Sequence, residues 1–194
     1  MPNWCDTCYK VTGQKDKVQK LWNVLEQLCV NDKNVYLCEL ADKLHLDYKN
    51  KGYSMRGHIY WAEYSEEENS ALLAFDVESA WSACDIFFDE INKVFDGELS
   101  ISYKETEPGC GIFYIHDEGN FFSETCCVSY AGEPFGDDAF EDPYPTIDDA
   151  IIFWCEKMNY DKENKTTEEM KSIIENYTYN DENTYFYINE YEFI

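Results

Sequence analysis

The stretch 71-ALLAFDVESAWSACDIFFDEINKVFDGELSISY-103 decides the fold. Ala71 to Val77 is a short, nearly continuous apolar run and reads as a buried strand. Ser82 or Asp85 then offers an N-cap, and Ile86, Phe87, Ile91, Val94 and Phe95 recur at helical spacing. Asp96-Gly97 stops that helix. Leu99, Ile101 and Tyr103 alternate with polar residues, as a strand with one buried face does. A strand, an amphipathic helix and a second strand in this order form one half of a layered domain, because each helix must bury its apolar stripe on a sheet.

The flanking sequence supplies the other half. Cys8 to Thr12 alternates and ends at Gly13, predicting a first strand and a turn. Val18, Leu21, Trp22, Leu25, Leu28 and Cys29 predict a helix from about Lys15 to Val30. Asn31 to Lys51 holds an apolar patch at Val35 to Leu40 and a loop near Lys49-Asn50-Lys51-Gly52. His58 to Tyr64 reads as a strand joined to Ala71 to Val77 through the polar turn Ser65 to Asn69. Beyond Tyr103, Pro108-Gly109 marks a turn, and Ile112 to Ile115 and Phe121 to Tyr130 are extended. The order is β-α-β-β-α-β plus extra strands, so the expected class is α+β. Its core is expected to be a ferredoxin-like split β-α-β arrangement with an antiparallel sheet.

Gly132 to Pro145 breaks the pattern with Gly, Pro, Asp, Glu and Phe and no period, and is expected to form a long acidic loop. Thr146 with Asp149 resembles a capping box opening a helix through Ile151, Ile152, Trp154, Cys155 and Met158. Thr166 or Thr167 with Glu168-Glu169 opens another through Met170, Ile173 and Ile174. Tyr185 to Phe193 closes the chain as an aromatic strand. The expected division is a domain over 1–130 and an extension over 131–194 with an acidic loop, two helices and a terminal strand.

Two segments carry a family resemblance. Met1-Pro2-Asn3-Trp4-Cys5 followed by Val11-Thr12-Gly13 resembles the opening of the YubB-type ferredoxin-like family, also called Api92-like. Phe75-Asp76-Val77-Glu78-Ser79-Ala80-Trp81-Ser82, then Ser102-Tyr103 and Glu107-Pro108-Gly109-Cys110-Gly111, is similar to that family's aromatic-Asp-x-x-x-Ala-Trp turn and its later Glu/Gly-rich hairpin. The resemblance spans roughly 1–130. It implies a fold and a phage or plasmid setting, and it carries over no catalytic residues.

Charge bounds the function. The chain holds 40 acidic and 15 basic residues, net −25. The first 60 residues are net +2, so residues 61–194 carry net −27, and from Glu105 to Glu156 there are 13 carboxylates and no Lys or Arg. Such an excess repels itself and destabilises the compact state, which points to a basic partner, bound cations or a salty medium. It also excludes ordinary nucleic-acid binding through a basic patch. With 44% hydrophobic and 17% aromatic residues the chain is too apolar to be a disordered acidic tail. The start shows no signal-peptide pattern and no apolar run is long enough to span a bilayer, so a cytoplasmic protein with no membrane contact is expected. Nine cysteines, an odd number at irregular spacing, read as reduced and mostly buried thiols.

The chemical motifs are weak. Cys5-Asp6-Thr7-Cys8 has CxxC spacing, but no second CxxC follows, and Cys126-Cys127 on a strand would point to opposite faces. His45, His58 and His116 form no ligand spacing. Gly109-Cys110-Gly111 lacks the Lys and the strand–helix setting of a phosphate loop. No catalytic residue, metal site or cofactor is therefore expected. Carboxylate clusters at 66–68, 117–118, 137–138, 141–142 and 148–149 are the strongest feature. Divalent-cation or metal-dependent enzyme chemistry is one use of them, and an acidic adaptor for another basic protein is a second. A solvated acidic surface accounts for any single cluster but not for the total.

Mimicry of nucleic acid accounts for it better. Duplex DNA presents about one charge per 1.7 Å of axis, which proteins meet with Lys/Arg grooves, and a rigid acidic protein can occupy such a groove. The expected function is a non-enzymatic, mobile-element-encoded inhibitor of a host defence nuclease, a CRISPR effector or a restriction enzyme. The expected partner-binding residues are Asp137, Asp138, Glu141, Asp142, Asp148 and Asp149, with Phe135, Phe140 and Tyr144 as apolar anchors. Tyr130, Tyr177, Tyr179, Tyr185, Tyr187 and Tyr191 are further aromatics among the acids, about half of those in the last strand being expected in the core.

Overall fold

A computed structural model of the chain describes residues 3–48 and 51–194. Met1-Pro2 of the opening motif and Lys49-Asn50 of the expected loop lie outside the described residues. The chain divides into two units, one running to Phe121 and taking in Phe193–Ile194, the other spanning Phe122–Glu192.

The first unit starts with β1 (Trp4–Gly13), in which Cys5, Thr7, Tyr9 and Val11 turn inward while the intervening residues stay at least partly exposed. Gly13 ends it at φ +131°, where a Cβ would lie 2.2 Å from the Glu98 carbonyl oxygen, so only glycine makes this turn. Then follow α1 (Lys15–Gln27), β2 (Val35–Tyr36), α2 (Leu37–Lys43), β3 (Gly57–Glu66), β4 (Ala71–Ala80), α3 (Asp85–Val94), β5 (Leu99–Glu107) and β6 (Ile112–His116). The sheet order is β10-β6-β5-β1-β4-β3-β2, with β10 (Glu192–Phe193) joining it from the end of the chain. The pairings of β1 with β4 and β5, of β3 with β2 and β4, and of β5 with β6 are all antiparallel. The fold is α+β. The two long helices α1 and α3 contribute Val18, Leu21, Leu25, Phe87, Phe88 and Ile91 to one core with Tyr9, Val11, Leu73, Phe75 and Val77 of the strands. Tyr9 sits at its centre, 5.0 Å from Phe75 and 4.3 Å from Phe88 between ring centroids.

Three local expectations change. The α3 face is Phe87, Phe88, Ile91 and Phe95, whereas Ile86 and Val94 are exposed. Two adjacent phenylalanines cannot both be spared from the core, so the helix rolls toward them. Neither Ser82 nor Asp85 caps it, because Cys84 holds the N-cap position and makes no side-chain cap bond. The apolar patch at Val35 to Leu40 becomes a two-residue strand and α2, begun by a bond from the Tyr36 N–H to Glu39 Oε2 at 3.0 Å. In β3 a register shift between Ile59 and Trp61 breaks the alternation, so Ile59 and Ala62 are buried while Tyr60 and Trp61 both face outward.

The second unit is built on β7 (Cys126–Gly132), the centre of a three-stranded antiparallel sheet with β8 (Gly136–Tyr144) on one side and β9 (Tyr185–Glu190) on the other. Helices α4 (Ile147–Met158) and α5 (Thr167–Glu175) cover it. Cys126, Val128, Tyr130, Phe135, Ile151, Trp154, Met170, Ile174 and Phe186 form its own core. The extended run ending at Tyr130 therefore founds the second unit and does not close the first, which moves the boundary from 130 to 121. The expected acidic loop Gly132 to Pro145 is instead a hairpin strand: Gly132 and Gly136 take positive φ, the Phe135 N–H donates to the Gly132 carbonyl at 2.8 Å, and β8 pairs with β7 from Gly136 to Tyr144. Edge strands tolerate the charges and prolines that hid this one, since they face water on the unpaired side. The expected terminal strand is broken at Tyr191 into β9 and β10, which join different sheets. No helix among the described residues is long and apolar enough to cross a membrane.

Candidate partner-binding surface

The acidic residues of β8 are held by the packing beneath them. Tyr130 faces Phe140 across the hairpin with ring centroids 5.6 Å apart, and the Tyr130 hydroxyl donates to Asp142 Oδ2 at 2.5 Å. Pairing of Tyr130 with Phe140, Val128 with Asp142 and Cys126 with Tyr144 puts Phe140, Asp142 and Tyr144 on one face of β8. Glu141, opposite Ser129, takes the other face, while Asp137 and Asp138 lie where the register shifts between the Gly132–Gly136 and Tyr130–Phe140 pairs. Glu141 and Asp142 are thus split between two faces of an edge strand, and Asp137, Asp138 and Glu141 are all exposed.

The other expected contact residues separate into distinct roles. Phe135 is 6% exposed, and its ring lies 5.0 Å from Phe186 and 5.8 Å from Tyr179. It is a core residue, not an anchor, because the tight turn folds it back under the sheet. Tyr144 is half-buried and packs 5.9 Å from Phe153. Phe140 is exposed, 44% accessible. Asp149 serves the N-terminus of α4: its backbone N–H donates to Thr146 Oγ1 at 3.1 Å, and the Thr146 hydroxyl donates to its carboxylate at 2.6 Å. Asp148 accepts from Lys162 at 2.8 Å and from the Thr167 hydroxyl at 2.9 Å, and these bonds, the lysine first, hold its carboxyl below the usual aspartate range. Of the other aromatics, Tyr130 and Tyr191 are buried, whereas Tyr177 and Tyr187 are exposed.

The field around this surface has little to offset it. The second unit carries 18 carboxylates against 4 lysines, net −14. All four lysines are engaged within it. Lys162 is on Asp148, Lys171 on Glu190, Lys165 lies 3.5 Å from Glu163, and Lys157 stands over the Phe153 ring at 5.5 Å. Each of these partners lies outside β8.

Elsewhere the reactive groups are quiet. Cys5 is buried and Cys8 half-buried, on opposite faces of β1, since residues three apart in a strand cannot share a side. Burial, first of all, pushes both thiols up to about 12, so they stay protonated at neutral pH and are poor nucleophiles. Among the described residues no three His, Cys, Asp or Glu side chains converge to hold a metal ion. His58 Nε2 lies 3.5 Å from Glu78, and His116 Nδ1 is 3.0 Å from the Ile194 carbonyl oxygen.

One feature of the second unit left no mark in the sequence reading. A groove runs between α5 and β9, formed by two adjoining cavities of about 330 and 280 Å³ that share Ile174, Glu175, Phe186 and Tyr187. Helical and strand periodicity place those residues on their own elements but say nothing of the space between them.

Comparison with protein-family models, curated proteins and solved structures finds no match to the chain.

Proposed function

We propose that the chain is a non-enzymatic inhibitor whose acidic second unit occupies a basic nucleic-acid groove on a host defence nuclease, of the CRISPR effector or restriction class. The observation that carries this reading is the net −14 of the second unit, displayed on a hairpin and helices fixed by their own core. The antiparallel run β5-β1-β4-β3 in the first sheet and the YubB-type resemblance support a ferredoxin-like ancestry in phages or plasmids, and with it a partner in host defence.

Magnitudes set the size of the mimic. At about 3.4 Å per strand residue, Asp137 to Asp142 spans roughly 17 Å, over which a duplex would present about ten charges. The four carboxylates at 137, 138, 141 and 142 supply less than half of that. Asp142 is also tied to Tyr130, so the matching charge must come from the whole unit, with β8 as its most exposed part. Phe140 adds an apolar contact beside the charges, where aromatic anchors carry most of the binding energy in protein interfaces.

The test is displacement of a labelled duplex from a basic defence nuclease. The wild-type chain should inhibit at about 50 mM salt and lose inhibition near about 500 mM, as charge-steered association does. The triple change Asp137→Asn, Asp138→Asn, Glu141→Gln should raise the inhibitory concentration about tenfold at low salt. Inhibition unchanged by both the salt and the triple change would refute the reading.

A further inference from the structure

We propose that the groove between α5 and the outer edge of β9 docks an extended Lys/Arg-bearing segment of a partner protein, added as a fourth strand to the second sheet. The sign of the partner's charge rests on the proposed function; the place and mode of docking rest on the groove alone.

Among the described residues β9 pairs only with β7, so alternate N–H and C=O groups along Tyr185–Glu190 have no strand partner. Such an edge is a template for an incoming strand, and main-chain bonding of this kind is a common mode of peptide recognition. The opposite edge, β8, carries Asp137, Asp138 and Pro143, the charges and proline that guard an edge against pairing, and neither of these two cavities is lined by it. The β9 edge carries no such guard before Glu190. It is flanked by the two cavities instead.

The lining selects a cation. Glu175 and Glu182 line the groove, and Asp181 accepts from the Asn183 backbone N–H at 2.8 Å within its own turn. The one cation in the groove, Lys171, is already held by Glu190. On the sheet face turned from α5, Tyr185 and Tyr187 stack at 5.5 Å, Tyr187 being 58% exposed, and present a ring surface to a Lys or Arg stem. On the helix side, a strand laid beside β9 places its side chains over Ile174 and Glu175. Six residues of β9 give a track of about 20 Å, the length of a six-residue extended segment.

The probe is a fluorescein-labelled octapeptide alternating Lys or Arg with Val. It is compared with its Glu/Val counterpart and with a peptide of the same charge in which two Val are replaced by Pro. Anisotropy titrations against the full chain, with hydrogen exchange on the complex, give the readout. The basic alternating peptide should bind about tenfold tighter than the proline peptide, because proline cannot complete the ladder. The Glu/Val peptide should not bind, and the basic alternating peptide should slow exchange at β9 amides. Glu175→Gln with Glu182→Gln should weaken it about fivefold, and Tyr187→Ala should weaken it independently. The β8 triple change should leave its affinity within about twofold, which separates this groove from the surface proposed above. Equal binding of the proline peptide, protection confined to β8, or no binding of the basic peptide would each overturn the proposal.

Discussion

Glu105 lies on β5 with 7% exposure, its Oε2 accepting from the Ala83 N–H at 2.8 Å and from the Cys5 thiol at 3.7 Å. Burial raises its carboxyl pKa, and the bonds from Ala83 and Cys5 only partly oppose that. The native protein therefore holds this proton to higher pH than the unfolded chain does. Unfolding then releases a proton, and stability falls as pH rises above the ordinary glutamate value of 4.5. Glu105→Gln should remove that contribution, so a urea unfolding series from about pH 4 to about pH 8 should show a smaller loss of stability with rising pH than wild type. An unchanged pH slope would count against burial as the cause. Glu107, 4% exposed, is likewise spent internally, accepting from the Gly109 N–H at 3.1 Å and from the Cys110 N–H. Both residues belong to the acidic run that begins at Glu105, and nothing in the run itself marks them as buried.

The capped helices of the second unit were legible as elements because their signals are local. Thr146 does accept from Asp149, and Thr166 with Glu169 forms a complete capping box. The hairpin strand β8 was not legible, since an edge strand with one packed neighbour needs little of its own hydrophobic pattern. Its register depends instead on the turn, where Gly132 sits at φ +77° and a Cβ would meet the Thr184 Oγ1 at 2.3 Å. Gly132→Ala should therefore destabilise the chain by about 1–3 kcal/mol, combining the left-handed backbone with a clash against an adjoining segment. Denaturant unfolding with a fixed m-value measures it, and a loss below about 0.5 kcal/mol would mean the turn absorbs the methyl group.

At the scale of the molecule, a net charge of −25 sets the response to salt. Exposed carboxylates at this density repel over a Debye length of about 10 Å at 0.1 M, so screening should stabilise the native state. Raising sodium chloride from about 20 to about 500 mM should lift Tm by several degrees, given roughly 2–4 °C per kcal/mol in a chain of this size. A flat or falling Tm would show that internal pairs such as Asp148–Lys162 and Lys17–Asp96 outweigh the repulsion. The sequence by itself determined the α+β class, the long strands and helices up to Tyr103, the Thr146 and Thr166 caps and the sign and size of the charge. Each of these follows from residues close together in the chain or from simple counting. Only the tertiary structure decided that Cys126–Gly132 founds a second sheet, that Phe135 is core while Phe140 is surface, that Glu141 and Asp142 face opposite ways, and that a groove lies open beside β9. Those outcomes depend on which distant strand pairs with which, and pairing energy resides in contacts between segments that no local period encodes.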